Sequence, residues 1–252
     1  MQLELNDQVA LVTGGASGIG AATARTLAAE GCRVIVADMN FAGALAVAAE
    51  IEKSGQRARA VNVDVRGQAA LNACVAAVVA TEKRIDILVT AAGIIKSETL
   101  AQSTLADWQA LCDTNLTGVL ATCQAVMPVM TRQRAGRIIN IASVAAYRGG
   151  GLVGNALYGM TKAGVIALTK GLARELAPYD VTVNALAPAL TDTPLVRDAL
   201  TPEILARIKS RIPAGRLGAA QDIANLITFL ASARASFVTG AVIDIDGGYL
   251  TT

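Results

Sequence analysis

The stretch Thr13-Gly14-Gly15-Ala16-Ser17-Gly18-Ile19-Gly20 follows an apolar run at 9–12 and opens onto an alanine-rich segment, and this junction decides the fold. Glycines at a strand-to-helix turn tolerate positive φ and let the backbone approach a pyrophosphate, whose charge then rests at the helix N-terminus. The spacing G-x-x-x-G-x-G departs from the commoner G-x-G-x-x-G, so an ordinary tight turn is the competing reading of the triplet taken alone.

Working outward, short β-rich runs alternate with Ala/Leu-rich helical patterns along the chain. Strands are expected at 9–12, 33–37, 58–63, 85–89, 137–141, 181–186 and 241–245, and helices near 17–31, 41–54, 67–82, 104–134, 157–177 and 219–232. Most strands are continuous apolar runs, as expected when both faces of a parallel sheet are covered. The pattern predicts an α/β fold, a doubly wound Rossmann-like parallel sheet of about seven strands with helices on both faces. No linker or repeat divides the 252 residues, so one domain is expected, with an excursion at 188–218 carrying Pro188, Pro194, Pro202 and Pro213. Thr201-Pro202-Glu203 reads as a helix start inside that excursion, a common form of lid at the carboxyl edge of a sheet.

Composition narrows the chemistry. The chain is 53% apolar and 17% charged, and it contains no histidine. Hydrolases built on Ser-His-Asp or Cys-His and His-ligated zinc enzymes are therefore excluded, and acid–base work falls to Tyr, Lys, Asp, Glu or Cys. The 22 basic and 20 acidic residues are spread along the chain and aromatics are 3%, so neither a phosphate-tracking block nor a base-stacking platform is present and nucleic acid is not an expected partner. Cys32, Cys74, Cys112 and Cys123 form no C-x-x-C pair, which suggests small buried hydrophobes in a reducing, cytoplasmic compartment and no metal site. The N-terminus is acidic where an export signal would be basic, and the charge-free segment 114–131 is interrupted by Asn115, Thr117, Gln124 and Pro128, so it reads as a helix buried in the protein or at a subunit contact rather than in a membrane.

Two carboxylates strengthen the nucleotide reading. Asp38 ends the second strand eighteen residues beyond Gly20, where it can accept both hydroxyls of an adenosine ribose. A 2'-phosphate there would meet like charge, and neither Ser17 nor Met39 offers a compensating cation, so NAD(H) is predicted over NADP(H). Asp64, before Val65, ends the third strand and can meet the adenine edge or cap the helix starting near Gly67.

Tyr158-Gly159-Met160-Thr161-Lys162 begins a helical pattern, and a separation of four places phenol and ammonium one turn apart on the same face. A fixed positive charge there favours phenolate. With T-G-x-x-x-G-I-G at Thr13 to Gly20, Asp38, Asp64, Ala91-Ala92-Gly93, Asn115, Ser143, Tyr158 with Lys162, Pro188 with Thr193 and Asp246-Gly247-Gly248 in this order, the chain resembles the short-chain dehydrogenase/reductase family over its whole length.

The resemblance implies that Tyr158 transfers the proton, Ser143 polarises the reacting oxygen, Lys162 lowers the Tyr158 pKa and holds the nicotinamide ribose, and Asn115 positions a water. It also implies a cofactor cleft formed by Gly14, Ser17, Gly18, Ile19, Gly20, Asp38, Asp64, Val65, Ala91, Gly93, Tyr158, Lys162, Pro188, Thr191 and Thr193. The expected activity is NAD-dependent interconversion of a secondary alcohol and a ketone. A 3-oxoacyl thioester reductase and a catalytically silent NAD(H) sensor are the alternatives, and a small-molecule substrate and a homotetramer, or a dimer, are the implied partners. Bland roles stay open: Ser143 as a strand-end cap, Asn115 as a satisfied polar residue inside a helix.

This chain departs from the family pattern at three places. The fourth strand ends Thr90-Ala91-Ala92-Gly93, without the usual asparagines; Ala189 follows Pro188 where glycine is usual; and fifteen residues separate Ser143 from Tyr158, about two more than is common. The added loop, Arg148-Gly149-Gly150-Gly151, borders the expected substrate pocket. Arg148 is a candidate for binding a substrate carboxylate or phosphate, with Lys96 as a weaker one and a solvated loop arginine as the alternative.

Overall fold

The computed structural model describes residues 2–151, 153–197 and 201–251. Strands β1 (Val9–Thr13), β2 (Arg33–Asp38), β3 (Arg57–Asn62), β4 (Ile87–Thr90), β5 (Gly136–Ile141), β6 (Val181–Pro188) and, after two short strands, β9 (Val242–Ile245) form one sheet in the order β3-β2-β1-β4-β5-β6-β9. Every pairing in it is parallel. Order reverses between β1 and β4, where Thr13 pairs with Ala37 on one side and Thr90 on the other, so the crevice of a doubly wound fold opens at the carboxyl ends of these strands.

Alternate residues of β1 explain the unbroken apolar runs. Val9 and Leu11 join the core that holds α3 (Gln68–Glu82), α5 (Gly118–Gln133) and α7 (Ala156–Leu176), through Val78, Cys123, Met130, Val165 and Leu176. Ala10 and Val12 face the core under α1 (Gly18–Ala29), α2 (Phe41–Lys53) and α10 (Ala220–Ala231), through Leu27, Ile51, Ile223 and Ile227. Neither face of the strand meets water, so neither has reason to be polar. The result is a single Rossmann-like domain.

Three details differ from the expected elements. The helix expected over 104–134 is instead α4 (Leu105–Cys112), a π-turn over Asp113–Thr117, and α5. The extra residue of the π-turn accommodates Asn115, whose side chain is drawn to the backbone of Ile94, a tertiary bond that apolar periodicity does not report. Asp64 does not cap α3: Gly67 holds the cap position, and the Asp64 carboxylate is engaged by Arg66. The base of the 188–218 excursion is closed by a small parallel pair, β7 (Thr191–Asp192) with β8 (Gly218–Ala219).

Within that excursion lie α8 (Pro194–Arg197) and α9 (Pro202–Lys209), and the Thr201 hydroxyl caps α9 by accepting from the Ile204 N–H at 3.3 Å. Ile208 and Ile212 are buried with Val144 and Tyr249, which docks the excursion over the carboxyl edge of the sheet. Among the described residues, no helix is long and apolar enough to cross a membrane.

Candidate active site

The glycine turn is packed at backbone distance. Gly14, at φ +69°, lies so close to Ala91 and Ala92 that a Cβ would overlap their backbone, and a Cβ on Gly20 would overlap the Gly14 carbonyl. Asp38 secures the same turn: one carboxylate oxygen accepts from the Ala16 N–H at 3.0 Å and the other from the Asn40 N–H at 2.8 Å. Ser17 occupies the N-cap of α1 but makes no capping bond, and the first turn of α1 carries no acidic residue. Unpaired N–H groups and the helix dipole there suit an anion.

From this turn a groove of about 480 Å³ runs between Asp38, Asp64 and Val65 at one end and Gly93 and Thr193 at the other, past Gly14, Gly18, Ile19 and Gly20. Its donor set fits a dinucleotide: a carboxylate at a ribose distance from the turn, bare N–H groups at a helix N-terminus, and space that a side chain on the glycines would fill. Arg66 also borders the groove, but its guanidinium is bound bidentately to Asp64, with N–O distances of 2.6 and 3.0 Å. The ion pair and hydrogen bonds hold the Asp64 carboxyl below the usual range.

A second cavity of about 140 Å³ shares Ile19, Ala91, Gly93 and Thr193 with the groove and brings Ser143, Tyr158, Lys162, Pro188 and Thr191 to its wall. Ser143 follows β5, and its Oγ accepts from the Ala145 N–H at 3.1 Å. Tyr158 and Lys162 lie one turn apart on α7, whose start is fixed by Asn155: its side-chain oxygen accepts from the Tyr158 N–H at 3.0 Å. The remainder of the wall is mainly apolar, with Val153, Leu190, Ile212 and Tyr249.

Burial dominates the electrostatics. It pushes the Tyr158 phenol up to about 12, while the neighbouring Ser143 hydroxyl draws it back toward the anion. Tyr158 still reaches the cavity and so keeps intermediate exposure, but protein surrounds it densely enough to disfavour charge. Burial also pushes the Lys162 ammonium down to about 8. Its Nζ donates to the Ile141 carbonyl at 2.8 Å and lies 5.8 Å from the centroid of the Tyr158 ring.

Asn115 is fully buried and uses both ends of its amide on one residue: Oδ1 accepts from the Ile94 N–H at 2.8 Å and Nδ2 donates to the Ile94 carbonyl at 2.9 Å. It therefore clamps the segment leaving β4, one residue beyond Gly93. Lys96 is committed elsewhere, to Asp107 at 2.7 Å, and Arg148 lies outside the inner cavity, with its guanidinium 4.7 Å from the Tyr249 ring centroid. Ala189 does not adopt positive φ, so alanine is tolerated where glycine was expected.

Sequence reading missed Asn140. Its Oδ1 accepts from Thr90 Oγ1 at 2.8 Å and its Nδ2 donates to Thr169 Oγ1 at 3.0 Å, so β4 and α7 are braced from β5 although β4 lacks asparagine. An Asn inside an apolar strand was the available signal. Tyr249, at 5% exposure, was missed as well, because nothing near the chain's end marks it as a cavity wall.

A family profile described as enoyl-(acyl carrier protein) reductase matches residues 14–250. The chain belongs to the short-chain dehydrogenase/reductase family. It is 40% identical over 249 residues to a 3-oxoacyl-[acyl-carrier-protein] reductase from Aquifex aeolicus, covering 98% of this chain and 99% of the relative. The solved structure of a short-chain type dehydrogenase/reductase from Mycobacterium marinum superposes with a TM-score of 0.95 at 34% identity, covering 100% of this chain and 98% of that one. A structure from Beutenbergia cavernae, provisionally named an NAD(P)-dependent gluconate 5-dehydrogenase and holding NADP at low occupancy, superposes with a TM-score of 0.94 at 35% identity and full coverage of both chains. As a member of this family the chain is an oxidoreductase using a nicotinamide cofactor.

Proposed function

We propose that this chain is an NAD(H)-linked oxidoreductase that interconverts a ketone and a secondary alcohol, and that a 3-oxoacyl thioester is the ketone its relatives support best. The observation that carries the reading is the convergence of Ser143, Tyr158 and Lys162 on a cavity that shares Gly93 and Thr193 with the groove of the glycine turn. A nicotinamide bound in that groove supplies or accepts the hydride.

The chain's own residues manage the oxygen. Ser143 donates to the carbonyl oxygen and orients it, and Tyr158, neutral because it is buried, gives its proton to the developing alkoxide. In the oxidative direction Tyr158 takes the hydroxyl proton, and the adjacent charge of Lys162 would favour its phenolate against the burial that opposes it. Asn115 acts as a positioning residue by fixing Ile94 beside Gly93. Ala91, Pro188 and Thr191 would line the nicotinamide end of a bound cofactor, and Gly18, Ile19 and Gly20 would hold its pyrophosphate. The apolar wall of Val153, Leu190 and Ile212 suits an acyl chain.

Asp38 supports NAD(H): its carboxylate would repel a 2'-phosphate, and the nearby Arg66 is already neutralised by Asp64. Exposed Leu120 on α5 and Met160 on α7 support a homotetramer joined through those helices, and the unpaired cysteines support a cytoplasmic setting. The deciding experiment follows nicotinamide absorbance with acetoacetyl-CoA and with a panel of secondary alcohols. Faster turnover with NADH than with NADPH is expected. A preference for NADPH would overturn the cofactor reading, and no turnover of any substrate by the parent protein would favour an NAD(H) sensor.

A further inference from the structure

We infer that Arg148 and Arg211 form an anion-recognition site at the outer mouth of the substrate cleft, which selects ketone substrates carrying a phosphate or carboxylate at the end remote from the carbonyl. The inference rests on the proposed carbonyl activity and adds to it the charge of the substrate's far end.

The polypeptide leaving β5 presents two different groups within six residues. Ser143 faces the inner cavity, and Arg148, at the end of the short helix α6 (Ala145–Arg148), stands on the outer side of Tyr249. Tyr249 lines both spaces and is the partition between them. On its outer side a depression of about 610 Å³ is bordered by Arg148, Ser210, Arg211, Pro213 and Tyr249, with no carboxylate among them. Ser210 donates its hydroxyl proton to the Arg207 carbonyl at 2.9 Å, so the two guanidiniums are the donors left for a ligand.

Most of this protein's arginines near a carboxylate are paired. Arg25, Arg33, Arg57, Arg66, Arg84, Arg216 and Arg234 all make ion pairs at 2.7 Å or less. Neither Arg148 nor Arg211 pairs with a carboxylate among the described residues. Arg148 instead rests on the Tyr249 ring, which holds the guanidinium plane without using its hydrogen-bond donors. Its loop is held too: the Gly150 N–H donates to the Ala145 carbonyl at 3.0 Å and the Gly151 N–H to the Gly154 carbonyl at 2.7 Å. Two unpaired guanidiniums at the border of one depression, that of Arg148 held against a ring, suit a phosphate or carboxylate, for which Arg offers a fork of donors. Glu98 borders an adjoining depression that Arg148, Arg211 and Tyr249 also line, and it forms an ion pair with neither guanidinium among the described residues.

The test compares Arg148→Gln, Arg211→Gln and the double variant with the parent on two matched pairs of ketones. Acetoacetyl-CoA is set against its neutral N-acetylcysteamine thioester, and 5-oxohexanoate against its methyl ester. The inference expects KM for at least one anionic member to rise tenfold or more in the double variant, with kcat and both neutral members within twofold of the parent. The pair that responds identifies the anion as phosphate or carboxylate. Equal effects on anionic and neutral members, or no effect on either, overturn it. Calorimetric binding of coenzyme A to the protein saturated with NAD+ provides a readout apart from turnover. Binding weakened tenfold in the double variant, in a parent that reduces no ketone, would sink the proposed activity and leave the anion site standing.

Discussion

The Lys162 ammonium lies 5.8 Å from the centroid of the Tyr158 ring and spends a hydrogen bond on the Ile141 carbonyl, so the cation beside the phenol is itself held inside the protein. That arrangement has a cost in stability. Lys162 releases its proton near 8 when folded, against 10.5 for an ordinary lysine. Below about 8 both folded and unfolded chains carry the charge, and the penalty is constant, on the order of 3 kcal/mol before the Ile141 bond offsets part of it. Between about 8 and 10.5 the unfolded chain binds more protons than the folded one, so stability attributable to this group rises with pH. Thermal unfolding of Lys162→Met is expected to match or exceed the parent at pH 7, and the parent is expected to gain on the variant as pH rises toward 10.5. A difference independent of pH across that window would refute the assignment.

Replacing Tyr158 by Phe removes the hydroxyl proposed as proton donor while leaving the ring that lines the cavity. Turnover is expected to fall by at least about 100-fold, within the range of a lost general acid. NADH affinity, followed by calorimetry, is expected to stay within threefold of the parent, because the glycine turn and Asp38 are remote from the hydroxyl. Loss of cofactor binding in step with activity would mean that Tyr158 is structural.

Much of the fold is legible because its signals are local. Val9 to Val12 is apolar on consecutive positions since the residues alternate between two helical layers, and Thr201-Pro202 announces a cap that the hydrogen bond to Ile204 then makes. What escapes reading depends on partners far along the chain. The π-turn at Asn115 exists for Ile94, twenty-one residues earlier, and the bracing of Thr90 comes from Asn140, fifty residues later. Tyr158 and Lys162 could be placed on one helix face from their spacing. The separation of Arg148 from Ser143 by the Tyr249 ring could not, because that partition comes from the last residues of the chain.

Two glycines of α7 should respond to the same substitution with opposite sign. Alanine in a helix interior is favoured over glycine by about 1 kcal/mol. At Gly171 no atom lies within 4 Å of an added Cβ, so Gly171→Ala is expected to stabilise by about that amount. At Gly159 the Cβ would sit 2.6 Å from the Gly150 nitrogen and 2.8 Å from the Ala145 oxygen, both backbone. Gly159→Ala is expected to destabilise by about 1–3 kcal/mol despite the helix preference, and to displace the loop that carries Arg148. Urea unfolding of the two variants decides the point, and a stabilised Gly159→Ala would show that the loop does not bear on α7.

Asp38 holds the glycine turn and lines the groove where the ribose is proposed to bind, and two substitutions separate these tasks. Asn at 38 removes the charge but keeps one side-chain oxygen as acceptor for the Ala16 or Asn40 N–H, whereas Ala removes both acceptors. If charge sets the cofactor choice, both variants should lower the ratio of kcat/KM for NADH to that for NADPH by tenfold or more, since each deletes the repulsion of a 2'-phosphate. If hydrogen bonds set the turn, only Asp38→Ala should also lose about 1–2 kcal/mol in denaturant unfolding. A ratio that moves in the alanine variant alone would trace the cofactor choice to the shape of the turn and remove the electrostatic argument for NAD(H).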